Sequence, residues 1–406
     1  MNAPTRPRAL EGIRIVDFTR VLAGPLSTVL LADLGAEVIK VEPPQGDDYR
    51  GIGPFRNGES ALFTIVNRGK RGVVLDLKQP AAQALARDLI ATADVVVENF
   101  RPGVAARLGL GAEELLAAQP RLVYVSISGY GQTGPMAERP AYDIIMQATT
   151  GLMHVTGDPA DEATLVGEVV SDIVTGLYAS WAILAALLQV QKSGRGQHVD
   201  VAMYDSTLSF LVTSMARHLF TGAVPMRVGN RHPLSAPFGV FRAADGPFVL
   251  AVLTHRFFAG LAGVVGRRDW ASDERFLTDS GRLTHEAELR EGIEAWSGIR
   301  TVSEVCAALD AAGVPAAPVA TLVDALATPQ AAARGILQEV EDPRLPGLRL
   351  PTQPVKFTGS AANVVRRAPA LGEDSVAVFS DLLGLGAGRI AELAEAGIFG
   401  QDGAQA

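Results

Sequence analysis

Short, nearly all-apolar runs alternate with longer helical stretches along the first part of the chain. "GIRIVDF" reads as a buried strand, "AGPLSTVLLADLGA" as a helix opened by Pro25 and closed near Gly35, and "EVIKVE" as a second strand. The pattern repeats in "RGVVLDL", the helical "PAAQALARDLIATA", "DVVVENF", a further helix and "RLVYVSISGYG". Strands apolar on both faces and separated by helices predict an α/β fold with a parallel sheet covered on both sides.

The character changes after residue 135. "YDIIMQATTGLM" and "DIVTGLYASWAILAALLQVQ" are helical and apolar nearly all round, so they need a partner surface. "SGRGQHVDVAMYDSTLSFL" predicts turns at Gly194 and Gly196, a strand and a helix, and the Gly/Pro-rich "TGAVPMRVGNRHPLSAP" reads as an extended linker. "FGVFRAADGPFVLAVL" predicts a hairpin turning at Asp245-Gly246 and opening a separate small domain. An irregular stretch, "EVEDPRLPGLRLPTQPVKF", precedes the helical end "DSVAVFSDLLGLGAGRIAELAEAG".

A chain of 406 residues, 48% hydrophobic and 20% charged, is long enough for two domain cores. A net charge of −8 without a Lys/Arg block argues against nucleic acid or an anionic membrane as partner, so any anionic ligand must be held by local cations. The single Cys306, in "EVCAALD", reads as a structural thiol on a helix face. The histidines are scattered without metal-ligand spacing, there is no Gly-x-Ser-x-Gly elbow or phosphate loop, and the first β-α turn, "TRVLAGPLST", lacks the dinucleotide glycine spacing. Neither a metal nor a tightly bound cofactor is expected. "MNAPTRPRALEG" has no apolar run of signal-peptide length and "LYASWAILAALLQV" is too short to span a bilayer, so a cytoplasmic location is expected.

Asp172, in "VVSDIVTGLY", places a carboxylate inside an apolar run. Its position fits a first-turn helix aspartate, and equally a nucleophile or base reached past the small Gly176. "VENFRPG" sets Asn99, Phe100 and Arg101 just beyond a strand's C-terminal end, where open α/β sheets bind ligands. Arg107 and Lys78 add cations at strand ends, and three such cations suit phosphates. His232 reads as a loop hydrogen-bonding residue, and Tyr142-Asp143 either reaches a site or starts a helix.

Taken together, "LEGIRIVDFTRVLAGPLSTVLLADLGAEVIKVEPPQGDDYR", "VENFRPGVAARLGL", "SGYGQTGP", "YDIIMQATTGLM", "SDIVTG", "SGRGQHVDVAMYD" and "APALGED" resemble the class III CoA-transferases over nearly the whole chain. That family includes formyl-CoA, carnitine-CoA and succinyl-CoA:dicarboxylate CoA-transferases and α-methylacyl-CoA racemase. The resemblance implies a Rossmann-like parallel-sheet large domain, residues 1–205 and 330–406, and a small α+β domain, residues 238–320. Segments 206–237 and 321–329 would link them, closing ring-shaped subunits that thread into an interlocked homodimer.

The resemblance makes Asp172 the nucleophile, passing through an aspartyl mixed anhydride and an aspartyl-CoA thioester. It implies CoA contacts from Leu22, Ala23, Leu75, Asp76, Leu77, Lys78, Asn99, Phe100, Arg101, Arg107, Tyr142 and Asp143, with coenzyme A and acyl-CoA as substrates. Leu22, Pro43 and Pro140 stand where formyl-CoA transferase has Gln, Arg and Lys, and its glycine run has no counterpart between 206 and 260. Formyl-CoA and oxalate are therefore expected to be poor substrates. The racemase branch carries His-Asp where this chain has Tyr142-Asp143, and a tyrosine is a poor base at neutral pH. Transfer from succinyl-CoA to a short dicarboxylate is the expected activity, with racemisation of a 2-methylacyl-CoA the alternative. A dicarboxylate needs a cation for its distal carboxylate, for which Arg50, Arg227 and Arg231 are candidates.

Overall fold

The computed structural model describes residues 7–361 and 365–399. They form two compact units, one made of the chain up to Leu152, Val166–Met215 and the chain from Gln330, the other of Met153–Leu165 and Ala216–Pro329.

The first unit is built on six strands, β1 (Arg14–Asp17), β2 (Glu37–Glu42), β3 (Arg71–Val74), β4 (Val95–Glu98), β5 (Val123–Ser128) and β6 (Gln197–Ala202). Every pairing is parallel and the order is β3-β2-β1-β4-β5-β6. Because successive side chains alternate faces, the strands feed two cores. Ile15, Val38, Val95, Val97, Val123 and Val125 pack under α1 (Ala23–Asp33) and α4 (Val170–Ser193). Val16, Ile39, Val73, Val96 and Tyr124 pack under α2 (Pro80–Ala91) and the helix Ser375–Leu383, so the returning C-terminal part covers the opposite face. The order reverses between β1 and β4, and the loops leaving their C-terminal ends part there to leave a crevice.

Asp17, the last residue of β1, is fully buried against Lys70, whose Nζ lies 2.9 Å from its carboxylate. The same carboxylate accepts hydrogen bonds from the Thr28 hydroxyl at 2.6 Å and from the Thr19 backbone N–H at 2.8 Å. Lys70 also donates to Asn67 Oδ1 at 2.9 Å and to the Pro25 carbonyl at 3.1 Å. Burial opposes the charge on Asp17, but Lys70, Lys40 and the threonine hydrogen bonds hold its carboxyl down to about 2. A second buried pair lies beside it, with Lys40 Nζ 2.8 Å from Asp47. This pair grips the first β-α turn at two points: Lys40 donates to the Thr19 carbonyl at 2.7 Å, and Asp47 accepts the Val21 N–H at 3.1 Å. Val21 has φ of 68°, a left-handed conformation costly for a β-branched residue and kept only where its surroundings impose it.

Helix α4 runs 24 residues, longer than its apolar centre suggests, and is long and apolar enough to cross a membrane by length and composition. That corrects the expectation of a segment too short to span. In the chain it is a core helix on one face, through Ala179, Ile183, Ala186, Leu187 and Val190.

In the second unit Phe238–Arg242 and Pro247–Ala251 form the expected hairpin and Ala316–Pro318 adds a third antiparallel strand. Its core is aromatic, with Phe241, Phe248, Phe258, Trp270 and Phe276 fully buried. Half-buried Cys306 lies at the edge of that core. Three segments differ from the sequence reading. Residues 206–237 are helical through α5 (Met203–Phe210) and Val212–Thr221 before the chain becomes irregular, and 321–329 contains the helix Leu322–Ala327 with a Thr321/Asp324 capping box. The stretch from 337 to 351 forms a hairpin, Leu337–Val340 with Leu348–Pro351, whose turn is stiffened by Arg344 at 2.8 Å from Asp342.

Lys70→Met should destabilise the protein by about 3–5 kcal/mol in a denaturant titration, because it leaves Asp17 buried without its counter-charge. A loss below about 1 kcal/mol would show that the pair does not anchor this region.

Candidate active site

Asp172 lies in the first turn of α4 and is only 9% exposed. Its helix is capped from outside: the Asp143 carboxylate, at the start of α3 (Asp143–Thr149), accepts the Ser171 N–H at 2.7 Å and the Asp172 N–H at 3.3 Å. Gln147, one turn along α3, steadies Asp143 with a 2.7 Å hydrogen bond. Gly176, one turn beyond Asp172, permits a close helix crossing, since a Cβ there would lie 2.8 Å from the Ala23 carbonyl oxygen. The start of α1 is thereby brought against the turn of α4 that carries Asp172.

Among the described residues no hydrogen-bond donor reaches the Asp172 carboxylate. Burial first, and then the neighbouring Asp143 charge, push its carboxyl up to about 7. A carboxylate so poorly solvated and unpartnered is reactive toward an electrophile, which fits the nucleophile reading.

Asp172 opens into a cavity of about 180 Å³ lined by Leu22, Ala23, Asn99, Phe100, Arg101 and Tyr142, together with Arg20, Asp48, Arg139 and Met203. Two further cavities share walls with it. One, of about 260 Å³ and mainly apolar, runs past Phe100 to Leu75, Asp76, Leu77 and Lys78. The other, of about 810 Å³, runs past Pro102 and Arg139 to Arg107. The loops after β1, β3 and β4 thus bring the sequence-derived positions to adjoining spaces at one end of the sheet. Asn99 ties two of these loops together, accepting the Arg20 N–H at 3.0 Å and donating to the Arg20 carbonyl at 2.8 Å.

Asp143, expected as a CoA contact, is buried, caps α4 and does not line this cavity. The candidate substrate cations are also largely committed elsewhere. Arg50 grips Glu42 through two bonds of 2.7 Å and stacks 3.7 Å over the Phe63 ring, so it belongs to the buried charge cluster. In the second unit, Arg227 donates to the His154, Asp158 and Asp161 carbonyls, fastening that segment to its own unit, and Arg231 pairs with Glu286 at 2.7 Å. His232 stacks on Phe238 with ring centroids 4.7 Å apart. A larger cleft of about 850 Å³ in this unit contains Arg231, Arg242 and Arg290 beside the carboxylates of Asp158 and Glu294, and Arg290 is paired with Glu286 and Glu294. Sequence reading missed Arg20, Asp48 and Arg139. Arg20 alone had a usable signal, its place in "TRVLAG" two residues before Leu22.

A parallel sheet ordered 3-2-1-4-5-6, with an unpaired buried aspartate and cation-lined cavities at its switch point, defines an α/β enzyme built for an anionic, extended ligand. The chain belongs to CoA-transferase family III, whose description matches residues 10–375. It is 41% identical to the acetyl-CoA:oxalate CoA-transferase of Acetobacter aceti, covering 88% of this chain and 92% of that protein. It is 39% identical to the succinate–glutarate CoA-transferase of Agrobacterium fabrum, covering 94% of this chain and 97% of the other. Among solved structures, a CAIB/BAIF family protein from Brucella suis superposes with a TM-score of 0.82 at 38% identity, covering 93% of this chain and all of the other.

Two measurements probe the environment of Asp172. Asp143→Asn keeps a capping oxygen but removes a negative neighbour, so the Asp172 titration, followed by infrared carboxyl absorption, should move from about 7 toward the ordinary carboxylate range. Asp172→Asn should exceed the wild type in stability at pH 8 by up to about 4 kcal/mol and match it near pH 4. A carboxyl raised in the folded state holds its proton at pH 4 and loses it, at a cost to folding, as pH rises through the raised value. Equal stabilities at both pH values would contradict the raised value.

Proposed function

We propose that the protein transfers CoA from succinyl-CoA to a short dicarboxylic acid through covalent intermediates on Asp172. The observation that carries this is a buried carboxylate that no hydrogen-bond donor reaches among the described residues, opening into a cavity that shares walls with the two others. The Asp172 carboxylate attacks the thioester carbonyl, forming a mixed anhydride as CoA leaves as thiolate. The thiolate attacks the aspartyl carbonyl, releasing the donor acid and leaving an aspartyl-CoA thioester. The acceptor carboxylate attacks that thioester, expelling CoA thiolate, which takes the acyl group of the new anhydride and regenerates Asp172. No proton or water is consumed. Water would hydrolyse both intermediates, a demand that the burial of Asp172 suits.

The apolar cleft by Leu75 to Lys78 suits the adenine of CoA, with Lys78 at its rim for phosphate, and Arg101, Arg107 and Arg139 form a cationic row on the other side. Helix α1 starts at Ala23 with no side-chain cap, so its free N–H groups favour negative charge developing beside Asp172. Tyr142 is two-thirds exposed at the cavity mouth, which suits a contact to the pantetheine arm and not a proton shuttle at α-carbon. The succinate–glutarate relative supports a dicarboxylate pair. The acetyl-CoA:oxalate relative supplies the rival substrates to test beside it.

The reading includes a homodimer, interlocked as in the family resemblance. Leu177, Trp181, Leu184 and Leu188 leave an exposed stripe at four- and three-residue spacing along α4, with Phe210, Leu219 and Phe220 exposed further on. Apolar surface of this extent calls for a cover.

Incubation of wild type and Asp172→Ala with succinyl-CoA, trapped with hydroxylamine or borohydride and followed by intact-protein mass spectrometry, should give an adduct on Asp172 in the wild type alone. Its rate of formation should rise with pH toward a plateau above about 7, because the ionised carboxylate is the reactive form. Absence of any adduct, with solvent deuterium entering Cα of a 2-methylacyl-CoA, would move the protein to racemisation. Faster adduct formation from acetyl-CoA than from succinyl-CoA would overturn the donor assignment.

A further inference from the structure

We infer that Arg20 recognises the distal carboxylate of the acyl group and so selects dicarboxylates, an assignment that rests on the CoA-transfer reading above. Three basic residues line the cavity that holds Asp172, namely Arg20, Arg101 and Arg139. Arg139 is shared with the groove that contains Arg107, and Arg101 adjoins Pro102, which lines that groove too. These side chains make one cationic row on the β4 side, the pattern expected for phosphates. Arg20 stands apart, on the loop after β1 with Val21, Leu22 and Ala23, the loop that the Gly176 crossing brings against the helix of Asp172.

The backbone of Arg20 is held on three counts. Asn99 bonds both its N–H and its carbonyl, and the buried Lys40–Asp47 pair grips the residues on either side, Thr19 and Val21. The fixed backbone sets the root of the side chain at the cavity wall, and its guanidinium can donate two parallel hydrogen bonds to a carboxylate. The side chain itself is only loosely engaged. Its partner is Asp48, at 3.2 Å through a single contact, with both side chains more than half exposed. Asp48 lines the same cavity, so the pair already shows a carboxylate meeting Arg20 at the cavity wall. A substrate carboxylate displaces a surface partner of this kind at little cost. Arg50 and Arg227 offer no such vacancy, since their guanidinium groups are tied to Glu42 and to three backbone carbonyls. Met203 and Ile127 give the cavity apolar wall for the methylenes between the two ends of a diacid.

Arg20 also borders the apolar cleft that leads to Lys78, so the experiment must separate acyl recognition from a contact to CoA itself. Full-length wild type and Arg20→Met are mixed in single turnovers, without acceptor, with succinyl-CoA or butyryl-CoA, four-carbon donors that differ in ending on a carboxylate or a methyl. The second-order rate constant for adduct formation on Asp172 is read for each. Loss of a charged hydrogen-bonding partner should lower the succinyl-to-butyryl ratio roughly 10- to 100-fold. Asp48→Asn, which removes the competing carboxylate, should move that ratio the other way by about two- to fivefold. An equal fall with both donors would place Arg20 on the CoA moiety and overturn the inference, as would an unchanged ratio. Wild type that forms an adduct with neither donor would overturn the transfer reading itself, a result visible before any Arg20 variant is compared.

Discussion

The architecture of the site depends on charges sealed beneath the first β-α turn. The side chains of Asp17 and Lys70 have no exposed surface, and Lys40 and Asp47 lie beside them. Buried ions on this scale stabilise a fold only if every lone pair and proton finds a partner, and here threonine hydroxyls, an asparagine and backbone carbonyls supply them. The cluster fixes geometry. It pins the turn on both sides of Arg20, imposes the left-handed backbone of Val21, and sets the start of α1 against α4.

The opposite choice is made at the start of α4. Asp172 is also buried, but among the described residues its carboxylate receives no cation and no hydrogen bond, only the nearby negative charge of Asp143. Two carboxylates thus meet at the start of α4 in different states, Asp143 of α3 spent on capping and Asp172 of α4 left unsatisfied. The buried Asp17 and Asp47 carboxylates are supplied with donors, while Asp172, where the chemistry is proposed, has none among the described residues. Local instability of that kind persists because the surrounding sheet and helices over-determine the position.

The ligand environment follows from topology. The reversal of strand order between β1 and β4 opens a crevice whose walls are the loops after β1, β3 and β4, and Asn99 bolts two of those loops together. Cations gather on one side of the crevice and an apolar cleft lies on the other, and the cavity that Asp172 lines shares walls with both. An extended molecule with a charged middle, a flat apolar end and a reactive thioester at the other end matches this division of space.

The sequence by itself determined the parallel sheet, since runs such as "GIRIVDF" and "DVVVENF" are apolar on both faces and alternate with helices. It also singled out Asp172, because a charge inside an apolar run demands an explanation, and it marked Asn99, Phe100 and Arg101 by their place after a strand. It could not separate Asp143 from the ligand-lining residues, because a capping bond to Ser171 spans a distance in sequence that no local pattern encodes. Nor could it tell which arginines are free: Arg50, Arg227 and Arg20 look alike in the chain, and only the folded structure shows Arg50 bound to Glu42, Arg227 bound to backbone carbonyls, and Arg20 at the cavity wall. Periodicity reports which face of an element is buried. The partner of a charged group is set by which elements the fold brings together, and that was decided only in three dimensions.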